Sequence, residues 1–340
     1  MDDSSDFLQT RLSDALAAAG VPKEEVADVR ELGGGTFNTV FRVRRTDGSG
    51  LVVKLAPDAS EPVLRYEHRI LATEAWFYDT VRKATGVPVP AVLTPPGDKG
   101  TAAGDHLVMS ECPGGNWYEL GDALEAGERQ RLRTELGRFT AALHSITGEA
   151  FGYPAEPLGP LRGSWREAFL EMVGAVLTDA GRFAVELPED ADRIRELFAA
   201  QSAVLDEVST PRLVHFDLWD GNILVDRGPA GARIGALIDA ERAFWGDPLA
   251  ELVSLSLFGD IERDDAFLEG YRMAGGTVAF DASARRRLTL YRSYLYLIMW
   301  VEAVPRRFDA ERCAWLRQQV VQPLAATFDL WAAQGRKGPA

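Results

Sequence analysis

The chain has 340 residues, a length that is too great for one hydrophobic core of ordinary size and therefore favours two domains or lobes. Hydrophobic residues make up 46% and charged residues 26% of it, which is typical of a folded globular protein and argues against disorder. The formal net charge of -14 would repel nucleic acid and anionic lipid, so neither is expected as a partner.

The expected compartment is the cytoplasm. The two cysteines, Cys112 and Cys313, lie far apart and match no metal-ligand spacing, so two free thiols are expected. The N-terminal stretch "MDDSSDFLQT" lacks the basic region and apolar core of a secretion signal, and the chain has no apolar run long enough to span a membrane. No feature of the sequence indicates an obligate protein partner.

The first third of the chain predicts a small, strand-rich lobe. An amphipathic helix, "SDFLQTRLSDALAAAG", ends at Gly20. Two β-rich runs then flank "GGGTFN", and the turn "TDGSG" precedes a third run, which is typical of antiparallel strands. A helical pattern runs from Glu61 to about Thr85, and "AVLTPPGDKG" and "DHLVMSECPGG" predict two further strands.

The rest of the chain predicts mainly helices. Three long helical segments precede the stretch "LVHFDLWDGNILVD", and about three more follow it. The boundary between the two parts is expected near "SECPGGNW", which gives lobes at residues 1–112 and 113–340. The predicted fold class is therefore α+β, bilobal, with an antiparallel sheet in the small N-terminal lobe and a larger, mainly helical C-terminal lobe.

Polar residues cluster in "LVHFDLWDGNILVD", between two aliphatic blocks. His215, Asp217 and Asn222 have the spacing H-x-D-x-x-x-x-N, in which the carboxylate accepts a hydroxyl proton and the amide reaches a metal ion. Asp239 follows the apolar run "IGALI", and a carboxylate there is suited to Mg²⁺, which prefers hard oxygen ligands. Capping and turn roles alone are a poor explanation for this set.

A lysine and a glycine loop lie upstream of these residues. Gly33, Gly34 and Gly35 open a loop whose backbone could approach phosphate groups, although on their own they are equally typical of a flexible hairpin. Lys54 stands alone in the apolar strand "LVVKLA", where an inward-facing ammonium needs an anion. Its expected partner is Glu74 on the following helix, with Glu67 as the alternative.

Taken together, these motifs resemble the aminoglycoside phosphotransferase family, the small-molecule kinases that share the protein-kinase-like fold. The resemblance covers nearly the whole chain. It rests on the nucleotide loop "LGGGTFNTVFRV", the strand lysine "VVKL", the hinge "HLVMSECPGG", the catalytic loop "HFDLWDGNIL" and the metal-binding segment "LIDAERAFWGDPLAEL".

The resemblance implies a nucleotide-binding lobe at residues 1–112 and a catalytic and substrate-binding lobe at residues 113–340. It implies Asp217 as the catalytic base, with His215 and Asp247 as structural supports of the catalytic and metal loops. Asn222 and Asp239 would bind Mg²⁺. The residues expected to contact ATP or GTP, or to orient those that do, are Gly33, Gly34, Gly35, Thr36, Asn38, Lys54, Glu74, Met109, Ser110 and Cys112.

The sequence departs from regulated protein kinases, which bears on the substrate. Phe216 replaces their arginine, and no D-F-G or A-P-E signature follows Asp239, so neither a peptide substrate nor activation-loop control is expected.

We expect transfer of the γ-phosphoryl group to a hydroxyl of a small molecule, foremost an aminoglycoside or related antibiotic. The acidic balance and the carboxylates Glu167, Glu171 and Asp179 favour such a cationic acceptor. Alternatives are a kinase of an amino sugar, choline-like alcohol or nucleoside, and a catalytically silent nucleotide sensor.

Overall fold

A computed structural model describes residues 3–33, 37–58, 61–94, 104–155, 158–229 and 231–335. Within these residues the strands are β1 Val26–Leu32, β2 Thr39–Arg45, β3 Gly50–Leu55, β4 His106–Ser110, β5 Gly115–Asn116, β6 Arg212–Val214, β7 Ile223–Gly228, β8 Gly231–Leu237 and β9 Phe244–Gly246. The helices are α1 Asp3–Ala18, α2 Ile70–Ala84, α3 Trp117–Leu120, α4 Ala126–Ser145, α5 Trp165–Arg182, α6 Ala191–Gln201, α7 Glu251–Leu255, α8 Asp265–Met273, α9 Ala282–Val301, α10 Ala310–Leu316 and α11 Gln322–Gly335.

The chain folds into two compact units that are each assembled from separated stretches. The first unit comprises Met1–Pro62, Arg69–Glu128 and Asp220–Arg242, and the second comprises Val63–His68, Arg129–Trp219 and Ala243–Ala340. The predicted lobes, residues 1–112 and 113–340, meet at a single boundary, whereas each of these units combines separated stretches of the chain. The predicted boundary therefore stays a prediction.

The first unit is organised by an antiparallel sheet in the order β1-β2-β3-β4. Alternate residues of β2 and β3 face a core that α1 covers with Leu12, Ala15 and Leu16, which is the period expected of a half-buried sheet. The core residues of the sheet are Phe41, Val43, Leu51, Val53, Leu55 and Val108.

A second sheet of the first unit has the order β5-β7-β8. The β7–β8 hairpin pairs Ile223 with Leu237, so the residues just before β7 and just after β8 lie at the same end of the hairpin. The Ile238 N–H donates to the Asn222 carbonyl oxygen at 3.0 Å, which closes that end. This geometry brings Asn222 of the predicted catalytic loop and Asp239 of the predicted metal-binding segment to the same end of the hairpin.

The second unit is mainly helical, with one short antiparallel pair formed by β6 and β9. Its core is rich in aromatic side chains, which bury much apolar surface per residue. Trp165 stacks against Phe244, with ring centroids 5.5 Å apart, and Phe169 meets Tyr291 and Tyr294 edge-on. The antiparallel sheet of the first unit and the helices of the second confirm the predicted α+β class.

Two local predictions differ from the structure. The helix predicted from Glu61 begins only at Ile70, because residues 65–67 form a separate 3-10 turn and Arg69 adopts a left-handed backbone conformation with φ 57°. The strand predicted in "AVLTPPGDKG" is reduced to an isolated bridge between Val92 and Met109, and residues 95–100 of that stretch lie outside the described residues. None of the helices in the described ranges is both long and apolar enough to cross a membrane.

Candidate active site

Lys54 lies on β3 and is buried, and its ammonium group contacts two carboxylates of the first unit. Its Nζ lies 2.7 and 2.8 Å from Glu74 Oε1 and Oε2, and it also contacts Asp239 Oδ1. Burial alone would lower the pKa of Lys54, but the charges of Asp239, Glu74 and Glu241 overcome that effect and raise the pKa above its usual value. The ammonium group therefore stays charged. It has the anionic partner that the sequence predicts for a lysine facing inward from an apolar strand.

Tyr78 joins the same arrangement, although the sequence analysis did not identify it. Its hydroxyl donates to Glu74 Oε1 at 2.6 Å and accepts from the Asp239 N–H at 2.9 Å. Burial raises the pKa of Tyr78 well above its usual value, so the hydroxyl keeps its proton and remains a donor. The available signal was its spacing, since Tyr78 follows Glu74 by four residues and both project from one face of α2.

Glu67, the alternative partner for Lys54, belongs to the second unit and has different contacts. Its carboxylate accepts from the Leu64 N–H at 2.7 Å and pairs with the Arg306 guanidinium. Glu74, and not Glu67, is therefore the glutamate that contacts Lys54.

Asn222 and Asp239 lie at the closed end of the β7–β8 hairpin. They offer an amide and a carboxylate oxygen, the kind of ligand that Mg²⁺ prefers, and two such ligands leave most coordination positions for water and phosphate oxygens. The Asp239 side chain is 39% exposed and so accessible, whereas Asn222 is buried. Asp239 also has a left-handed backbone, with φ 59°, which is uncommon for residues other than glycine. The donor chemistry of both residues fits the metal role predicted for them.

The predicted phosphate loop is described only in part. Gly34, Gly35 and Thr36 lie outside the described residues. Gly33 is exposed, and a Cβ built on it would meet no atom within 4 Å, so close packing does not require glycine at this position. Asn38 Nδ2 donates to Glu241 Oε2 at 3.2 Å, which ties the end of the loop to the segment that follows Asp239.

The residues predicted to contact the base lie on and after β4. Met109 is buried and pairs with Val52 of β3. The Ser110 N–H donates to the Ala91 carbonyl at 2.8 Å, and the Glu111 N–H donates to the Gly50 carbonyl at 2.9 Å. These two N–H groups are thus engaged within the first unit, and the half-buried Cys112 follows them.

In the second unit, Asp217 lies in the loop after β6 and is held by backbone contacts. The His215 ring accepts from the Asp217 N–H through Nδ1 at 3.3 Å, which is consistent with a structural rather than a proton-transfer role. Phe216 is fully buried with φ 62°, and its ring stacks on Tyr294 at a centroid distance of 5.7 Å. The residue that replaces the kinase arginine is thus a packing group.

A buried glutamate of α7 supports this loop and was also missed in the sequence. Glu251 accepts from the His215 N–H at 2.6 Å and from the Phe216 N–H at 3.0 Å. Ser254 extends the support, since its hydroxyl accepts from the Leu218 N–H at 3.1 Å. Burial raises the pKa of Glu251 to about 7 against the opposing effect of these hydrogen bonds. In the sequence Glu251 is one acidic residue of an apolar helix, so only the folded contacts reveal its role.

Asp247 joins β9 to the helices of the second unit. Its carboxylate caps the turn at Leu249, contacts Arg287 at 2.7 Å and accepts from the Tyr291 hydroxyl at 2.6 Å. The Tyr291 hydroxyl in turn accepts from Trp165 Nε1 at 2.8 Å. These contacts are structural, in keeping with the supporting role implied for Asp247.

The three carboxylates expected to attract a cationic acceptor have partners within the second unit. Arg162 Nε lies 2.6 Å from Glu171 and 3.9 Å from Glu167. Asp179 is buried and accepts from the Arg65 N–H at 2.7 Å. Their charges are therefore at least partly neutralised by the protein, which weakens the argument for a polycationic substrate.

The chain is similar in sequence to one protein family and to a curated relative. Residues 28–291 match the model of the phosphotransferase enzyme family, a range that includes Lys54, Asp217 and Asp239. A Synechocystis protein described as a probable ketoamine kinase is 30% identical over 186 residues, which cover 51% of this chain and 55% of that protein. The chain thus spans about half the length of this curated relative.

Solved structures resemble the chain over nearly its whole length. A candidate fructosamine-3-kinase from Thermobifida fusca has a TM-score of 0.65 at 24% identity, covering 94% of this chain and 98% of its own. A thermostable mutant of the aminoglycoside phosphotransferase APH(4)-Ia, in ternary complex with ADP and hygromycin B, has a TM-score of 0.61 at 18% identity, covering 92% and 96%. At these identities the likeness shows the fold, and it confirms the predicted protein-kinase-like class. With the match over residues 28–291, the chain belongs to the phosphotransferase enzyme family.

Proposed function

We propose that the protein is a small-molecule kinase that transfers the γ-phosphoryl group of ATP or GTP to a hydroxyl group. The observation that carries the proposal is the buried Lys54 ammonium, held between Glu74 and Asp239 in a chain of the phosphotransferase family. A lysine in such a setting is suited to neutralise phosphate charge, which is the main protein contribution to phosphoryl transfer.

Asp217 is proposed as the catalytic base. Its carboxylate would orient the acceptor hydroxyl for in-line attack on the γ-phosphorus and accept the hydroxyl proton as the new O–P bond forms and the bond to the nucleoside diphosphate breaks. The hydrogen bonds from His215, Phe216 and Leu218 to their partners on α7 and the His215 contact to the Asp217 N–H would keep this carboxylate in position.

Lys54 is proposed to contact the α- and β-phosphates, oriented by Glu74. Asn222 and Asp239 would hold Mg²⁺, which when bound supplies positive charge to the phosphate oxygens. The base of the nucleotide would be recognised at Cys112, because the preceding N–H groups of Ser110 and Glu111 already donate within the first unit.

Among the acceptors that the sequence left open, two classes have specific support. An aminoglycoside or related antibiotic is the first, supported by the family resemblance and the net charge of -14. A ketoamine, a sugar linked to an amine, is the second, supported by the name of the 30% identical relative and by the arginine partners of Glu167 and Glu171. Either acceptor offers hydroxyl groups to Asp217, and we propose that the reaction takes place in the cytoplasm, where the nucleotide is available.

The test is ADP release by purified protein with Mg·ATP across a panel of compounds: aminoglycosides, a glycated amine, amino sugars, nucleosides and amino alcohols. Wild type is compared with Asp217→Asn and with the control Asp226→Asn, which removes a carboxylate from the surface pair with Arg233. We expect release that depends on one compound class, is lost by a factor of about 10³ or more in Asp217→Asn, and is unchanged in Asp226→Asn.

Two other results would contradict the proposal. Nucleotide binding with no release for any compound would favour the sensor alternative. Compound-dependent release that survives in Asp217→Asn would remove Asp217 from the mechanism, even if the family activity were retained.

A further inference from the structure

Four groups of the first unit form a closed ring of polar contacts. Lys54 Nζ contacts both Glu74 and Asp239, and the Tyr78 hydroxyl donates to Glu74 and accepts from the Asp239 backbone N–H. Three of these side chains are almost fully buried, whereas the Asp239 side chain is 39% exposed. The ring therefore has one accessible member.

Asp239 has two different attachments in this ring. Its carboxylate is bound to the Lys54 ammonium, and its backbone N–H is bound to the Tyr78 hydroxyl at 2.9 Å. The backbone has φ 59°, a left-handed conformation that is unfavourable for a residue other than glycine. A part-buried N–H group without an acceptor would add a further cost, so the Tyr78 hydroxyl helps to stabilise this conformation.

Lys54 occupies Oδ1 of the Asp239 carboxylate in the structure, so a metal ion can bind through that oxygen only if the carboxylate turns away from the ammonium group. The Asp239 carboxylate can turn from Lys54 toward a metal ion by rotation about its side-chain bonds alone, provided that the Asp239 backbone does not move. Tyr78 supplies that restraint from α2, the same helix that carries Glu74.

Resting on the proposed function, we infer that Tyr78 is a positioning residue that fixes the Asp239 backbone, so that the Asp239 carboxylate exchanges Lys54 for Mg²⁺ by side-chain rotation. Tyr78 does not touch substrate in this role. It acts on metal affinity through the backbone of Asp239.

The test uses Tyr78→Phe, which removes only the hydroxyl. The control is Tyr66→Phe, since Tyr66 is also buried and donates its hydroxyl to a carboxylate, that of Glu302 in the second unit. Three quantities are measured: ADP affinity in the presence of EDTA, Mn²⁺ affinity of the ADP-loaded protein by electron paramagnetic resonance, and the Mg²⁺ concentration for half-maximal turnover.

We expect Tyr78→Phe to weaken Mn²⁺ binding and to raise the Mg²⁺ requirement about tenfold, while metal-free ADP affinity changes by less than about threefold. Tyr66→Phe should leave all three quantities near their wild-type values. Unchanged Mn²⁺ affinity in Tyr78→Phe would overturn the inference, as would an equal loss of metal-free ADP binding, which indicates general damage to the fold.

A measurement on wild type provides an independent check. Hydrogen exchange at the Asp239 amide should be slow and should change less than about threefold when Mg·ADP binds, because the N–H keeps its acceptor while the carboxylate moves. A large change in exchange would show that the backbone itself moves and would overturn the inference. A wild-type protein that binds neither nucleotide nor metal would overturn the proposed function as well, whereas the outcomes above concern Tyr78 alone.

Discussion

Lys54 Nζ lies 2.7 Å from Glu74 Oε1, and the Glu74 side chain is completely buried. A buried charge that loses its partner destabilises a protein by about 3–5 kcal/mol, whereas replacing both members with apolar groups is often neutral. Lys54→Met should therefore lower both the free energy of unfolding and the rate of turnover. The expected loss in kcat/KM is about 10²–10³-fold, because phosphate charge is no longer neutralised.

The double variant Lys54→Met with Glu74→Leu separates these two effects. Its free energy of unfolding should recover toward that of wild type, while its kcat/KM should stay as low as that of Lys54→Met. Denaturant unfolding and ADP release measure the two quantities. Recovery of activity together with stability would show that Lys54 serves only the fold.

Glu251 makes the stability of the second unit depend on pH. Its pKa is raised by burial from 4.5 to about 7, so the folded protein retains a proton that the unfolded chain releases. Stability should accordingly fall as pH rises from about 4.5 to about 7, by an amount on the order of 3 kcal/mol if Glu251 acts alone.

Glu251→Gln should flatten this part of the stability profile, because the amide does not titrate. It should also slow turnover, since the amide has one acceptor oxygen where the carboxyl group has two, and only one of the His215 and Phe216 N–H groups that anchor the loop of Asp217 can keep its partner. Urea unfolding at pH 5 and pH 7.5 tests the first effect. A slope as steep as that of wild type would assign the titration to another group.

His144 changes the free energy of unfolding with pH in the opposite direction to Glu251. Burial, aided by the charge of Arg212, lowers its pKa from 6.5 to about 3, and its Nδ1 lies 2.8 Å from the Tyr271 hydroxyl. The unfolded chain takes up a proton that the folded protein excludes, so stability is lost as pH falls from about 6.5 toward 3. His144→Asn should reduce that acid loss, which unfolding curves between pH 4 and pH 7 would measure. If the stability of His144→Asn fell with decreasing pH as steeply as that of wild type, His144 would not be the group responsible.

Local chemistry was sufficient to predict part of the site. Lys54 alone in an apolar strand requires an anion, and Glu67 and Glu74, seven residues apart on the predicted helix, were the two candidates named. The choice between them depended on long-range contacts. Glu67 is held by Arg306 and the Leu64 N–H, so its segment leaves the helix and folds with the second unit.

The residues that were missed share a physical reason. Tyr78 and Glu251 act through backbone N–H groups that are distant in sequence, at Asp239 and at His215, and no local pattern records such a pairing. The opposite error arose with Glu167 and Glu171, which look like free acidic groups in the sequence but contact Arg162. Composition reports the number of charges, whereas only the fold reports their partners.

Asp247 and Tyr291 form a buried hydrogen bond of 2.6 Å that links β9 to α9. Tyr291→Phe should lower the free energy of unfolding by about 1.5–3 kcal/mol, the usual range for a hydrogen bond to a charged group. Asp247→Asn should cost at least as much, because it also weakens the contact with Arg287. The double variant should lose less stability than the sum of the single variants, and strict additivity would mean that the two groups are not coupled.

Helices α4 and α8 pack closely at two glycines, and this contact should not tolerate a methyl group. A Cβ on Gly137 would lie 2.2 Å from the Phe267 carbonyl oxygen, and one on Gly270 would lie 1.9 Å from the Thr134 carbonyl oxygen. Because backbone atoms cannot yield as a side chain can, Gly137→Ala should destabilise the protein by about 1–3 kcal/mol or more.

Gly174→Ala on α5 is the matched control, since a Cβ there meets no atom within 4 Å. Its higher helix propensity should stabilise the protein by about 0.5–1 kcal/mol. Thermal unfolding of the two variants should therefore shift in opposite directions. If Gly137→Ala were as stable as Gly174→Ala, the two helices would have to lie farther apart than the structure places them, because propensity alone favours alanine at both sites.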